Sequence, residues 1–150
     1  MAPPRPRLAV TLGDPRGIGP EVTARALAAG GLDAEVTLIG ADDQVARIPA
    51  VAKVGVGGWS GEREAGALAG RAVEAAVRLA LGGKADAIVT GPVHKGALHL
   101  AGYRYPGLTE LLAHLAGDVD AAMMLAAGKL RVVLVTTHVE IGRASCRERV

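Results

Sequence analysis

A small set of imidazole, ammonium and hydroxyl side chains could carry out chemistry in this sequence. His94 and Lys95 follow a short apolar run, residues 87–89, and His138 follows a β-branched run, residues 131–136. Imidazole binds metals and transfers protons near neutral pH, and an imidazole beside an ammonium group can bind an anion. Because open α/β sheets bind ligands beyond the carboxyl ends of their strands, we expect these groups to lie at a site.

Each histidine also has a structural interpretation. No other His, Asp or Glu stands at ligand spacing beside His138, so the sequence contains no complete metal site. A single His at a strand end is more often structural than a ligand. His94 could equally hydrogen-bond the backbone of its own loop. His99 and His114 fall within predicted helices, and we interpret both as structural or surface residues.

A glycine-rich turn, GDPRGIGPE at residues 13–21, is a second candidate for ligand contact. Its spacing does not fit the G-x-G-x-x-G dinucleotide fingerprint, because Val22 occupies the last position, and it lacks the G-K-[ST] of a phosphate-binding loop. Asp14 in this turn either contacts a ligand or simply forms the turn, since Asp before Pro is a common turn former.

A third polar cluster, GLTE at residues 107–110, follows shortly after the second histidine. Thr109 could donate its hydroxyl to a substrate, or the cluster could be the first turn of a helix, where Glu110 complements the helix dipole. Serine occurs only at Ser60 and Ser145, and neither lies in a nucleophile elbow. The sequence therefore argues against a serine hydrolase.

Alternating strands and helices must position these groups. Turn residues and apolar periodicity predict helices at residues 20–29, 62–81, 96–100 and 108–116, and a short one capped by residues 42–43. They predict strands at residues 8–11, 35–40, 52–56, 87–90, 121–125 and 131–136. This alternation predicts an α/β fold with a largely parallel sheet. The run at residues 87–89 is predicted to be buried on both faces.

Composition limits the class of protein. The chain has 150 residues, half of them apolar, which fits one ordinary domain with a substantial core. Its formal net charge is +2, and its Lys and Arg are scattered among few aromatics, which argues against nucleic-acid binding. No apolar run reaches the length of a signal peptide or membrane span. We expect a soluble, cytoplasmic protein with no nucleic-acid or membrane partner.

The segment EIGRASCRERV, residues 140–150, differs from everything before it. It contains the only cysteine and is similar to the in-frame translation of a common sequencing adapter. We expect residues 1–139 to be the N-terminal portion of a longer dehydrogenase catalytic region, and residues 140–150 to be a non-native tail. A genuine basic tail is the alternative. Without this segment no cysteine remains, which excludes cysteine nucleophiles and cysteine metal sites.

Several segments together resemble the 4-hydroxythreonine-4-phosphate dehydrogenase family. They are GDPRGIGPE at 13–21, DAIVTGPVHKGAL at 86–98, GLTE at 107–110, MMLA at 123–126 and LRVVLVTTH at 130–138. The resemblance implies a three-layer α/β/α fold like that of isocitrate and isopropylmalate dehydrogenases, incomplete in this chain. It also implies a homodimer, NAD, and a divalent metal (Zn, Mg or Co) bound by three histidines. The implied reaction is oxidation and decarboxylation of 4-phosphohydroxy-L-threonine in pyridoxal phosphate (vitamin B6) biosynthesis.

The resemblance also implies roles for individual residues. His138 matches the first metal-binding histidine, and Thr109 matches a substrate-binding threonine. Leu108 occupies a position that is usually histidine in the family, and leucine cannot hydrogen-bond a substrate. Relatives that act on threonate or erythronate 4-phosphate, or on a dihydrodiol, are therefore alternatives. Asp14, His94 and Lys95 remain weaker site candidates, and no catalytic residue is identified.

Two other hypotheses stay open. Phosphate acyltransferases have a related fold and could use the Thr-Gly loop for phosphate, but that function gives His138 no role. Alternatively, the chain by itself is inactive, because the other two metal ligands, the phosphate-binding residues and most of the NAD site would lie beyond residue 139. In that case the isolated chain neither turns over NAD nor binds metal tightly.

Overall fold

A computed structural model describes residues 4–50 and 52–134 of the chain. The chain divides into two compact units, Met1–Asp118 and Val119–Val150. His138 and the segment 140–150, both singled out above, lie outside the described residues. Within the described ranges, no helix is long and apolar enough to cross a membrane.

The first unit is built on a parallel sheet of four strands. In chain order these are β1 (Arg7–Thr11), β2 (Glu35–Gly40), β3 (Ala52–Gly55) and β4 (Ala87–Thr90), and their order in the sheet is β3-β2-β1-β4. Five helices connect or follow them: α1 (Gly19–Ala28), α2 (Asp42–Arg47), α3 (Glu62–Leu81), α4 (Lys95–Leu100) and α5 (Leu108–Leu115). The predicted α/β class, the parallel sheet and the extent of the longest helix are confirmed.

Helices pack on both faces of this sheet. Successive residues of a strand point to opposite faces. Ile39 of β2 packs in one apolar cluster with Ala72 and Ala76 of α3. Its neighbour Leu38 packs in a second cluster with Val45 of α2, and that cluster also receives α1 residues. The sheet is therefore the middle of three layers, as the resemblance implied.

Helix α3 accepts two very close neighbours at glycines one turn apart. A Cβ on Gly66 would lie 2.0 Å from the carbonyl oxygen of Ala97 in α4, and one on Gly70 would lie 2.1 Å from the ring of Tyr103. The Tyr103 hydroxyl donates to Glu74 at 2.8 Å. Burial and this carboxylate raise the pKa of Tyr103 to about 12. These contacts hold α4, and with it the loop that carries His94, against α3.

Strand β4 differs from the prediction of a strand buried on both faces. Ala87 and Val89 are exposed, and Val89 retains 46% of its accessible surface. The reason is its place in the sheet: within the described residues, β4 pairs only with β1, so it is an edge strand. Ile88 packs toward the α3 cluster, whereas Val89 lines an apolar groove beside α1. The β-branched composition predicted the strand but not its position.

The second unit contains an antiparallel hairpin. Strands β5 (Met123–Ala127) and β6 (Leu130–Leu134) pair with Met123 opposite Leu134 and Ala127 opposite Leu130. Gly128 makes the turn with a positive φ of 56°, which glycine adopts at little cost. Both strands were predicted, although β5 begins two residues later than expected. Their antiparallel pairing departs locally from the largely parallel prediction.

The close packing of α3 on α4 can be tested with Gly66→Ala. The added methyl would meet the Ala97 backbone, which cannot rotate away as a side chain could. We expect the free energy of unfolding to fall by about 1–3 kcal/mol in urea titrations, even though alanine favours helices. Gly58→Ala is the matched control, because a Cβ there meets no described atom within 4 Å. Equal stabilities of the two variants would contradict the packing.

The ion pair at the amino ends of β1 and β4 predicts a pH dependence. The Arg7 guanidinium donates to Asp86 at 2.6 Å, and these hydrogen bonds lower the pKa of Asp86 to about 2. Because the folded-state pKa is lowered, the stabilisation is complete above the unfolded pKa of about 4 and is lost as the pH falls toward 2.

The midpoint temperature of unfolding of Asp86→Asn should therefore be lower than that of the original chain at neutral pH. The two midpoints should converge as the pH falls from about 4 to about 2. Asp120→Asn serves as the control, since Asp120 is exposed and forms no ion pair with any described residue. A difference between Asp86→Asn and the original chain that did not change with pH would show that the ion pair is not its cause.

Candidate functional site

A cleft opens at the carboxyl ends of β1 and β4, which are neighbours in the sheet. The order in which the chain adds strands to the sheet reverses between these two. From β1 the chain runs through α1 to β2 on one side, whereas β4 is reached through α3 on the other side. The loops that follow the two strands must therefore diverge. In open α/β sheets such a switch point is where ligands bind.

The two loops are joined at the base of this cleft. The Gly91 N–H donates to the Thr11 carbonyl oxygen at 2.8 Å, and the Asp14 N–H donates to the Pro92 carbonyl oxygen at 2.9 Å. Gly13 has a positive φ of 78°, and a Cβ there would lie 2.1 Å from the Pro92 oxygen. The first glycine of the turn is thus required by a loop crossing, which explains its place without any ligand.

The cleft has a volume of about 490 Å³ and both apolar and charged walls. This size lies within the range of small-molecule sites. The described residues that line it are Asp14, Arg16, Gly17, Ile18, Glu62, Pro92, Val93 and His94. Two predicted site candidates, Asp14 and His94, are therefore brought together although they are far apart in sequence.

Asp14 is buried, with 4% of its surface exposed, and its carboxylate binds Arg16. Its Oδ1 accepts from the Arg16 backbone N–H (2.9 Å) and from Arg16 Nε (3.1 Å), and its Oδ2 accepts from Arg16 Nη2 (2.9 Å). Burial by itself would raise the pKa of Asp14, but the hydrogen bonds from Arg16 outweigh burial and lower it. These contacts favour the turn-forming interpretation of Asp14.

Arg16 is the site residue that sequence analysis missed. Its guanidinium is held by Asp14 on one side and lies 3.4 Å from Glu62 Oε1 on the other. About a third of the side chain, 31%, remains exposed in the cleft. In the sequence, Arg16 could have been noticed as the one charged side chain between the Pro and the glycines of the turn. Its contact with Glu62 is visible only in the fold.

Gln44 of α2 supports the same turn from behind. Its Nε2 donates to the Pro15 carbonyl oxygen at 2.7 Å. Asp14 N–H is already bound to the opposite loop, so the backbone on both sides of Pro15 is fixed. The position of Arg16 is consequently set by three elements, namely α2, the loop after β1 and the loop after β4.

His94 caps α4. Its Nδ1 accepts from the Ala97 N–H at 3.1 Å, while Glu62 Oε1 lies 3.5 Å from the same nitrogen. Nδ1 cannot accept from Ala97 and donate to Glu62 at once, so the cap requires the tautomer that carries its proton on Nε2. The structure favours the loop-hydrogen-bonding alternative for His94, and it leaves Nε2 facing away from the cap.

The other candidates lie elsewhere. Lys95 is the first residue of α4, is exposed, and is not part of the cleft lining. Leu108 and Thr109 are the first two residues of α5 and are half-buried, and they also lie outside that lining. His99 and His114 bind the Tyr105 carbonyl oxygen (3.0 Å) and Asp118 (2.8 Å), which agrees with the structural interpretation of both.

The described residues do not by themselves fit a metal or a dinucleotide. In residues 4–50 and 52–134, no group of three His, Cys, Asp or Glu side chains could hold a metal ion. The glycine turn lacks the dinucleotide spacing, and its Gly13 serves a loop crossing. The cleft can position a small polar ligand against charged groups.

Comparison with known proteins gives one clear family. The sequence profile described as "Pyridoxal phosphate biosynthetic protein PdxA" matches residues 17–147. The match extends into the segment 140–150, so the non-native origin of that segment stays a prediction.

The relatives carry two different names. The chain is 36% identical to a D-threonate 4-phosphate dehydrogenase from Salmonella typhimurium, a match that covers 89% of this chain and 51% of the relative. It is 37% identical to a 4-hydroxythreonine-4-phosphate dehydrogenase from Synechocystis sp., covering 91% and 48% respectively. The chain thus spans about half the length of the curated relatives it matches.

Solved structures agree in fold. A 4-hydroxythreonine-4-phosphate dehydrogenase from Burkholderia phymatum matches with a TM-score of 0.84 and 31% identity over 97% of this chain and 54% of that chain. A terephthalate 1,2-cis-dihydrodiol dehydrogenase from Burkholderia xenovorans matches with a TM-score of 0.72 and 29% identity, over 96% and 52%. These neighbours confirm the predicted fold class.

The capping role of His94 predicts a simple mutational pattern. His94→Ala removes the acceptor for the Ala97 N–H and should lower the free energy of unfolding by about 1 kcal/mol. His94→Asn keeps a good N-cap acceptor and should leave that free energy nearly unchanged. Urea titration of the three proteins provides the measurement. An equal loss in both variants would mean that His94 contributes something other than its cap.

Proposed function

Because this chain belongs to the PdxA family of pyridoxal phosphate biosynthetic proteins, we propose that the protein is an NAD-dependent dehydrogenase of a small phosphorylated hydroxy acid. The family match over residues 17–147 carries this proposal. The likeness of the fold to a solved 4-hydroxythreonine-4-phosphate dehydrogenase supports it. The cleft beside Arg16 supports it as well, because its size suits a ligand of a few carbon atoms.

The first candidate substrate is 4-phosphohydroxy-L-threonine, which would be oxidised and decarboxylated in pyridoxal phosphate biosynthesis. A second candidate is D-threonate 4-phosphate, and Leu108 favours it. The half-buried leucine at the start of α5 offers no hydrogen bond where the family usually has histidine. A site that lacks this hydrogen-bonding group cannot select strongly for a substrate that would bind to it.

We propose His138 as one ligand of a divalent metal, with the other ligands outside the described residues. Bound there, the metal would supply Lewis-acid polarisation of the substrate's oxygen atoms, which favours oxidation and decarboxylation. Thr109, on the first turn of α5, is proposed to donate its hydroxyl to the substrate. Asp14, His94 and Lys95 remain weaker candidates for contact, and Asp14 acts mainly through Arg16.

Further properties are proposed on the same basis. Residues 1–139 would form the N-terminal portion of the catalytic region, with residues 140–150 as a non-native tail. The whole protein would be a cytoplasmic homodimer that does not bind nucleic acid. A phosphate acyltransferase-like function is the alternative, and it would leave His138 without a role.

The function is tested with the open reading frame that contains codons 1–139 in its genomic context. Its product should form NADH from 4-phosphohydroxy-L-threonine or D-threonate 4-phosphate only when a divalent metal is present. The 150-residue chain, assayed beside it, should form none. We also expect two further histidine ligands in the extended sequence. A product that is folded and metal-loaded but does not reduce NAD with either substrate would overturn the proposal.

The same assay can test Leu108. In that protein Leu108→His should raise kcat/KM for 4-phosphohydroxy-L-threonine relative to D-threonate 4-phosphate, by about tenfold or more if a hydrogen bond is restored. Leu112→His, one turn further along α5 and also half-buried, is the matched control. The assignment of Leu108 to substrate selection fails if both variants change the ratio equally.

A further inference from the structure

We propose that Arg16 binds an oxyanion of the ligand, a phosphate or a carboxylate, and that the Glu62 carboxylate competes with the ligand for this position. The proposal rests on the proposed function for the identity of the ligand as a phosphorylated hydroxy acid. Its geometry rests only on the residues of the cleft.

Arg16 is held in place by contacts within the protein itself. Its Nε and Nη2 donate to the buried Asp14 in the paired geometry that suits guanidinium and carboxylate. Gln44 and the loop after β4 fix the backbone on either side of Pro15. A guanidinium held in this way loses little conformational freedom when it binds an anion, and such preorganisation favours binding.

The contacts of Arg16 with its two carboxylate partners are unequal. Asp14 is 4% exposed and binds Arg16 at 2.9–3.1 Å. The Glu62 side chain is 46% exposed, and its Oε1 lies 3.4 Å from both Nη1 and Nη2. Asp14 is therefore the fixed partner that orients the guanidinium, whereas Glu62 makes a long, solvent-accessible contact that an incoming oxyanion can replace.

The amino end of α1, beside Arg16, also favours an anion. Gly17 and Ile18 line the cleft immediately before α1, a helix of ten residues whose amino end carries partial positive charge. Ile18, 66% exposed, offers an apolar wall for the carbon skeleton. Arg16 Nη1 has no contact with Asp14, so its donors lie on the side of Glu62 and are available for a ligand.

The test measures oxyanion binding directly on the 150-residue chain. Heteronuclear NMR at low ionic strength follows the Arg16 side-chain signal during titration with inorganic phosphate, and separately with D-threonate, which carries a carboxylate but no phosphate. A response to phosphate alone assigns Arg16 to the phosphate end of the ligand. A response to D-threonate alone assigns it to the carboxylate end.

The anion affinities of three variants test the proposed roles of Arg16 and Glu62. Arg16→Gln should weaken binding by about tenfold or more, the usual cost of losing a charge-assisted pair. Glu62→Gln should strengthen binding severalfold, because it removes the competing carboxylate. Arg63→Gln is the matched control: Arg63 is exposed, adjoins Glu62 in sequence and does not line the cleft, so its loss should change affinity less than about twofold.

The proposal is overturned if neither probe binds, if Arg16→Gln and Arg63→Gln weaken binding equally, or if Glu62→Gln does not strengthen it. The effect of Glu62→Gln on affinity tests the proposal even if Arg16→Gln fails to fold. Failure of the dehydrogenase assay with Arg16-dependent anion binding intact would reject the proposed function alone. Dehydrogenase activity that is unaffected by Arg16→Gln would reject this inference alone.

Discussion

The candidate site depends on one backbone constraint, the crossing of the two loops that leave β1 and β4. Because β1 pairs with β2 on one side and β4 on the other, their loops start side by side and then diverge. Hydrogen bonds from Gly91 to Thr11 and from Asp14 to Pro92 hold the loops together at the point of divergence. The cleft exists because these bonds close its base while α1 and α4 carry its walls apart.

Electrostatic contacts build on this crossing in a definite order. Asp14 is placed by its backbone bond to the opposite loop, it orients Arg16, and Arg16 meets Glu62 at the amino end of α3. His94 completes the group by capping α4 beside Glu62. Burial alone would raise the pKa of Asp14, yet its hydrogen bonds with Arg16 lower it. Of these four side chains, Asp14 is buried, whereas Arg16, Glu62 and His94 keep access to solvent.

The apolar surface of the chain shows where its packing is incomplete within the described residues. Val89 on β4 and Val22 on α1 border the same open groove, and both are about half exposed. The hairpin of the second unit is likewise exposed along nearly its whole length, including Met124, Leu125 and Val133. Strands of this composition are usually covered in α/β proteins, so these surfaces differ from the well-packed clusters around α3.

The sequence by itself determined the local elements and the family. Apolar periodicity and glycine positions predicted α3 at its observed limits and all six strands to within a few residues, because these signals are local. Tertiary structure decided which strand lies at the edge, and hence why Val89 is exposed, since sheet order is not encoded in the composition of one strand. It also decided that Arg16 meets Glu62, residues separated by two strands and two helices, and that Leu108 and Thr109 lie outside the cleft that contains Asp14 and His94. Such pairings arise from packing between distant segments, which no spacing along the chain specifies.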